Sequence, residues 1–200
     1  VNPVDLLLPS SCPGCARPGR ACPPCAAAFD NLFEVERGAI DVPAYAMTPY
    51  AGPARRLLLA YKERGRRDLT GVMGRAVPRA LDRVRERLVM PPVVLVPAPS
   101  RWWAVRRRGG NHVLRALRSP PGAPVADVLR MSAWTADSVG LGALDRRRNL
   151  RGRVRARGGA GAVVLVDDVI TTGVTAGVCL EALRAAGWTP VAVLAFTATV

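Results

Sequence analysis

The chain has 200 residues, half of them apolar, with 29 basic side chains against 15 acidic ones and a formal net charge of +14. That length supplies a hydrophobic core without a disulfide framework, and the apolar content excludes intrinsic disorder although Gly (19) and Pro (18) are both frequent. No apolar run approaches the ~20 residues that cross a bilayer, and the first residues show no charged stretch followed by an apolar one, so the expectation is a cytoplasmic chain without membrane insertion.

In chain order the first feature is a cysteine cluster. Cys12 and Cys15 (CPGC) and Cys22 and Cys25 (CPPC) form two C-x-x-C pairs. Two such pairs suit tetrahedral zinc, with four thiolates leaving no open position for a substrate, so the site would be structural. Pro13, Gly14, Pro23 and Pro24 favour the tight turns that such knuckles need. Structural disulfides and a redox pair are the alternatives. The reducing environment expected for this chain disfavours the first, and one pair would suffice for the second. A segment this short and turn-rich would draw most of its stability from the metal.

AAAFDNLF (26–33) reads as a short helix, and VPAYAMTPY (42–50) as a strand or hairpin arm. PARRLLLAYKERG (53–65) puts Leu57, Leu58 and Tyr61 on one helical face, with Pro53 near the start and Gly65 past the end. The stretch 69–88 is a second helical pattern that Pro78 should kink or break. VVLVPAP (93–99) is a buried strand, and 102–118 a loop followed by a helix. Beyond a Pro/Gly turn, a short strand or helix is expected near 125–131. VVLV (163–166), a helix over 174–186 and VAVLAF (191–196) then make a parallel, right-handed βαβ unit. Cys179, inside that helix, reads as a small buried apolar side chain.

Charge is uneven along the chain. Only Lys62 is a lysine; the other basic residues are all arginine, a skew that suggests a GC-rich genome as much as selection. Six arginines and no acid fall in 101–118, and seven with no acid in 146–157. This is either a solvated basic face or a surface for a phosphate-rich partner, nucleic acid or a polyphosphate metabolite. Trp102 and Trp103 beside the first run would stack bases or fill core. His112, the sole histidine, reads as a surface residue beside arginines.

The stretch VVLVDDVITTGVT (163–175) carries the most chemistry. It puts Asp167 and Asp168 at the carboxyl end of a buried parallel strand, where ligands bind in open α/β sheets. Thr171, Thr172, Gly173, Val174 and Thr175 open the next helix, whose unpaired N–H groups and dipole favour a phosphate. A monophosphate loop one step from a carboxylate pair that accepts vicinal hydroxyls describes a ribose 5-phosphate. A nucleoside triphosphate would call for G-x-x-x-x-G-K-[ST], which is absent. A plain βα turn with a Thr cap and two solvated acids is the bland alternative.

This string resembles the phosphoribosyl-pyrophosphate signature of type I phosphoribosyltransferases: four apolar residues, two acids, two spacers, Thr-Thr-Gly, a spacer and Thr. The resemblance implies that Asp167 and Asp168 bind the ribose hydroxyls and that 171–175 cradles the 5-phosphate. It also implies a pyrophosphate loop at Pro99, Ser100 and Arg101, with Mg²⁺ bridging pyrophosphate and ribose oxygens. The cysteine pairs, YAGPARRLLLAYKERGRRDL (50–69), VPAPSRWWAVRRRGGN (96–111) and DRRRNLRG (145–152) narrow the likeness to the ComF family of competence-associated proteins. That family usually reads Arg-Gly-Phe-Asn-Gln where this chain has Arg108, Gly109, Gly110, Asn111 and His112.

The expected architecture is therefore α/β: a parallel-sheet type I phosphoribosyltransferase fold (34–200) behind a small four-cysteine zinc-binding segment (1–33). The implied function is binding of phosphoribosyl pyrophosphate with Mg²⁺, and beyond binding a transfer of phosphoribose to an unidentified acceptor. The alternative is an accessory protein that handles single-stranded DNA during uptake, near a helicase or a recombination mediator. Arg106, Arg107, Arg108 and Asn111 are the candidates for nucleic-acid or pyrophosphate contact.

Overall fold

The computed structural model describes residues 11–100, 110–119, 123–132 and 152–200. The first of these hold α1 (Pro23–Ala26), a 3-10 turn (Ala27–Phe29), β1 (Phe33–Glu34) and β2 (Ala44–Pro49). The helices α2 (Gly52–Glu63) and α3 (Thr70–Arg87) lead to β3 (Val93–Pro97). After α4 (His112–Leu117) come the short strands β4 (Leu129–Met131) and β5 (Val154–Ala156). β6 (Gly161–Ile170), α5 (Val174–Ala185) and β7 (Trp188–Ala198) close the chain. The result is a mixed α/β fold with a mostly parallel sheet and an N-terminal four-cysteine cluster, as the sequence leads one to expect.

The main sheet runs β1–β2–β7–β6–β3, and β2, β7, β6 and β3 are mutually parallel. Only β1 is antiparallel, and β4 pairs with β5 in a separate two-stranded sheet. The uninterrupted apolar runs of β6 and β7 follow from burial on both faces. Alternate residues separate cleanly. Val164, Val166, Leu194 and Phe196 pack with α2, α3 and the cysteine segment, whereas Val163, Leu165, Val193 and Ala195 pack under α5 and the β4–β5 pair. Phe29 meets Phe196 edge-on, with ring centroids 6.4 Å apart, joining the cysteine segment to the first of these cores. Cys179 is fully buried, as expected.

Pro78 does not break α3, which runs unbroken from Thr70 to Arg87. An interior proline costs a helix ~3 kcal/mol. Met73, Val77, Leu81 and Val84, all buried on one face, each return ~1.5–3 kcal/mol on burial. Packing therefore outweighs the lost bond. The uncertain stretch near 125–131 resolves as a single bridge at Val125, parallel to Leu95, followed by β4. Among the described residues, no helix is long and apolar enough to cross a membrane.

Candidate functional site

Among the described residues, two places gather chemistry-bearing side chains. In the first, the Sγ atoms of Cys12, Cys15, Cys22 and Cys25 lie within 4.8 Å of one another, and all four are free thiols. Cys22 Sγ is 3.7 Å from Cys12 Sγ and 3.5 Å from Cys15 Sγ. A tetrahedron with metal–sulfur bonds of ~2.3 Å has edges of ~3.8 Å, so the four ligands could hold a structural metal such as zinc. Burial opposes ionisation of Cys12, but the backbone N–H groups of Cys22, Gly14 and Cys15 outweigh it and bring the thiol to about 6. Burial pushes the Cys25 thiol upward. A Cβ on Gly14 would sit 2.7 Å from Cys25 Sγ, so this turn admits only glycine. Arg56 of α2 donates from Nε and Nη2 to Gly14 O (2.8 and 2.5 Å), fastening the segment to the main domain.

The second place is the carboxyl end of β6. The strand runs to Ile170, four residues past the expected VVLV, so Asp167 and Asp168 lie within it. β3 pairs with β6 only as far as Pro97 opposite Val166, while β7 continues to Ala198 opposite Ile170. Among the described residues, no strand pairs with β6 on its β3 side beyond Val166. Successive strand side chains leave on opposite faces. Asp168 falls on the face of α2 and α4, Asp167 on that of α5.

Asp168 is buried and doubly partnered. Lys62 Nζ lies 2.6 Å and His112 Nε2 2.7 Å from the same Oδ2 atom. Burial alone would raise this carboxyl, but the His112 hydrogen bond and the Lys62 ammonium outweigh it and hold it well below the usual carboxylate range. Asp167 has no cation against it among the described residues. Its Oδ1 accepts from the Asp168 backbone N–H at 2.7 Å. Burial, followed by the negative charge of Asp168, raises its carboxyl above the usual range.

Asp167, Ile170, Thr171, Gly173 and Thr175 line one small concavity of about 20 Å³. Gly173 is the N-cap of α5 at φ 75°, and a Cβ there would lie 2.9 Å from Arg37 Cβ. Both the left-handed backbone and the close approach require glycine. Thr172 is exposed, and Val174 is buried under α5. Arg37 roofs the turn: its Nε donates to Thr171 O (2.6 Å), and its NH groups donate to Glu36 O and Thr199 O. A Cβ on Gly177, one helical turn into α5, would meet Ala39 O at 2.1 Å. Residues 37–40 thus press directly on the start of α5.

Pro99 and Ser100 follow β3 toward this edge and are half-buried. Arg101, Trp102, Trp103, Arg106, Arg107 and Arg108 lie outside the described residues. Asn111 caps α4, its Oδ1 accepting from Val113 and Leu114 N–H and its Nδ2 donating to Ala98 O. The expectation of a surface His112 is corrected: the side chain is 3 % exposed and turned inward to Asp168. Lys62 escaped sequence reasoning altogether. Its signal was compositional, the only lysine in an arginine-rich chain.

The sequence matches no protein-family model. It matches no curated protein. Among solved structures, the chain is similar to the crystal structure of Mycobacterium tuberculosis H37Rv orotate phosphoribosyltransferase in complex with Fe(III) dicitrate. The identity is 20%, the match covers 86% of this chain and 81% of that one, and the TM-score is 0.41.

Proposed function

We propose that this chain is a phosphoribosyltransferase-like protein that binds phosphoribosyl pyrophosphate with Mg²⁺ at the carboxyl end of β6. One observation carries the reading: a carboxylate (Asp167) and the glycine-opened turn before a twelve-residue helix share a single concavity. The N–H groups of 171–175, at the positive end of the α5 dipole, would hold the 5-phosphate. Asp167 and Asp168, reached from the two faces of β6, would accept the ribose hydroxyls. Pro99, Ser100 and Arg101 would meet the pyrophosphate. Asp167, with no cation against it among the described residues, offers the hard oxygen that Mg²⁺ takes. When bound, Mg²⁺ neutralises charge on the pyrophosphate.

Transfer of phosphoribose would proceed by displacement of pyrophosphate from the anomeric carbon by an acceptor that nothing in the chain identifies. Calorimetry with phosphoribosyl pyrophosphate and Mg²⁺ tests the binding. Wild-type protein gives a saturable heat, and Asp167→Asn with Asp168→Asn abolishes it. No heat from wild type at millimolar ligand would end this reading.

The net charge of +14 supports a second reading, the handling of single-stranded DNA in the manner of the competence-associated ComF family, beside an uptake helicase or recombination mediator. Binding driven by phosphate contacts must weaken steeply with salt. A gel-shift series from low to physiological salt decides it, and no shift at low salt removes it.

A further inference from the structure

In a chain whose other basic residues are all arginine, the single lysine and the single histidine converge on one oxygen atom. Their chemistry explains why lysine stands there. A guanidinium is a planar fork that engages a carboxylate side-on, donating to both oxygens at once. An ammonium is a compact point donor that can share one oxygen with a second group. Lys62 and His112 both sit on Oδ2 of Asp168, and among the described residues no donor sits on Oδ1. Asp168 lies on the stretch of β6 that β3 leaves uncovered.

Local structure fixes both partners. Tyr61, next to Lys62 and buried, donates its hydroxyl to His112 O at 2.8 Å, and the Tyr61 and His112 rings meet edge-on. This ties the start of α4 to the end of α2. With Asp168 ionised, His112 donates to it from Nε2–H. Nδ1 is buried, with no partner among the described residues.

We infer that Lys62 and His112 are positioning residues that occupy Oδ2 of Asp168 together and so reserve Oδ1 to accept a hydroxyl hydrogen from a pentose phosphate. The inference rests on the proposed function, since it assigns Asp168 its role toward the sugar diol. It also predicts an asymmetry that a charge-balancing lysine would not show: arginine at 62 fails although it preserves the charge.

The test uses ribose 5-phosphate, 2-deoxyribose 5-phosphate and inorganic phosphate as calorimetric probes on folded, full-length variants, with melting curves as the folding control. Lys62→Arg and Lys62→Ala are each expected to weaken ribose 5-phosphate tenfold or more. Their effect on inorganic phosphate is expected to stay within about twofold, and that on the deoxy sugar to be intermediate. Wild-type affinity for ribose 5-phosphate in Lys62→Arg would overturn the inference, and so would an equal loss for all three probes. A separate readout needs no ligand. The sole histidine gives a single pair of side-chain ¹⁵N signals, expected to show protonated Nε2 in wild type, with Nε2 shifted in Lys62→Arg. A wild-type Nε2 without its proton would overturn the positioning. If wild type binds no pentose phosphate while the histidine signals are as expected, the proposed function falls and the sugar role of Asp168 falls with it.

Discussion

Asp167 and Asp168 are neighbours of identical chemistry placed in opposite environments by the pleat of one strand. The α2–α4 face gives Asp168 an ammonium and an imidazole, both on one oxygen. The α5 face gives Asp167 a glycine turn, a helix N-terminus and no cation among the described residues. The first face is built to keep a charge, the second to receive one. A site that must hold a hydroxylated, anionic ligand can use both. One carboxylate stays fixed as an acceptor whatever the ligation state, and the other lies in the concavity where ligand and divalent cation would arrive.

The largest test of this division removes whatever metal the four cysteines hold. The cysteine cluster packs on the Asp168 face, and Arg56 and Lys62 belong to the same helix. Four-thiolate zinc sites supply ~10–16 kcal/mol of binding free energy to their folds. Chelation, or Cys12→Ser, is expected to lower the melting temperature by ten degrees or more, about the effect of losing several kcal/mol from a domain this size. Metal content by mass spectrometry should read one ion per chain. A metal-free protein that melts where the loaded protein does would show that the segment is stabilised by its packing alone.

Next in size is the comparison of the two acids by substitution. Asp168→Ala strips Lys62 of its counter-charge and His112 of its acceptor, and breaking a buried pair from one side costs ~3–5 kcal/mol. Lys62 is 28 % exposed, so the lower end, about 3 kcal/mol, is expected. Asp167→Ala removes a group with no cation against it among the described residues and should cost less than about 1 kcal/mol. Urea unfolding of both variants checks this. Equal losses would mean that the two faces do not differ as described.

Much of this was legible in the sequence. The buried runs of β6 and β7 and the Leu57, Leu58 and Tyr61 stripe of α2 announced themselves, because each pattern reports its own burial. The C-x-x-C spacing reported its convergence in the same local way. What stayed hidden depended on partners distant in the chain. His112 meets Asp168 across 56 residues, and nothing local distinguishes it from a surface histidine. β6 passes through both acids because β7 runs alongside to Ala198, a pairing that no residue in DDVI encodes. Pro78 misled because its cost is local and its compensation, the core stripe of α3, is tertiary.

Smaller effects are expected at the glycines beneath Arg37 and Ala39. Gly177→Ala would drive a methyl to within 2.1 Å of Ala39 O, so residues 37–40 must lift off α5. Overpacking of this kind costs ~1–3 kcal/mol. Gly173→Ala adds left-handed strain to a 2.9 Å contact with Arg37 Cβ and should cost about 1–2 kcal/mol. If the α5 face is the receiving one, both variants weaken inorganic phosphate binding more than Lys62→Arg does. The reverse ranking in calorimetry would move the phosphate site away from 171–175.

The subtlest consequence is in the pH dependence of stability, where the two acids should pull in opposite directions. Asp168 has a depressed folded-state pKa, so the stability it contributes is complete above the ordinary carboxylate range and is lost as pH falls through its folded value. Asp167 has a raised one. The native state then holds a proton that the unfolded chain has released, so stability falls as pH rises from the ordinary carboxylate range through its folded value. Asp168→Asn should therefore flatten the acid limb of the profile, and Asp167→Asn should flatten the decline above it. The second change is expected to be the smaller, because Asp167 is only half-buried and solvent screens it. Chemical denaturation from pH 3 to 8 separates the two limbs. A decline toward neutral pH that persists in Asp167→Asn would assign it to another group and leave Asp167 ionised in the free protein.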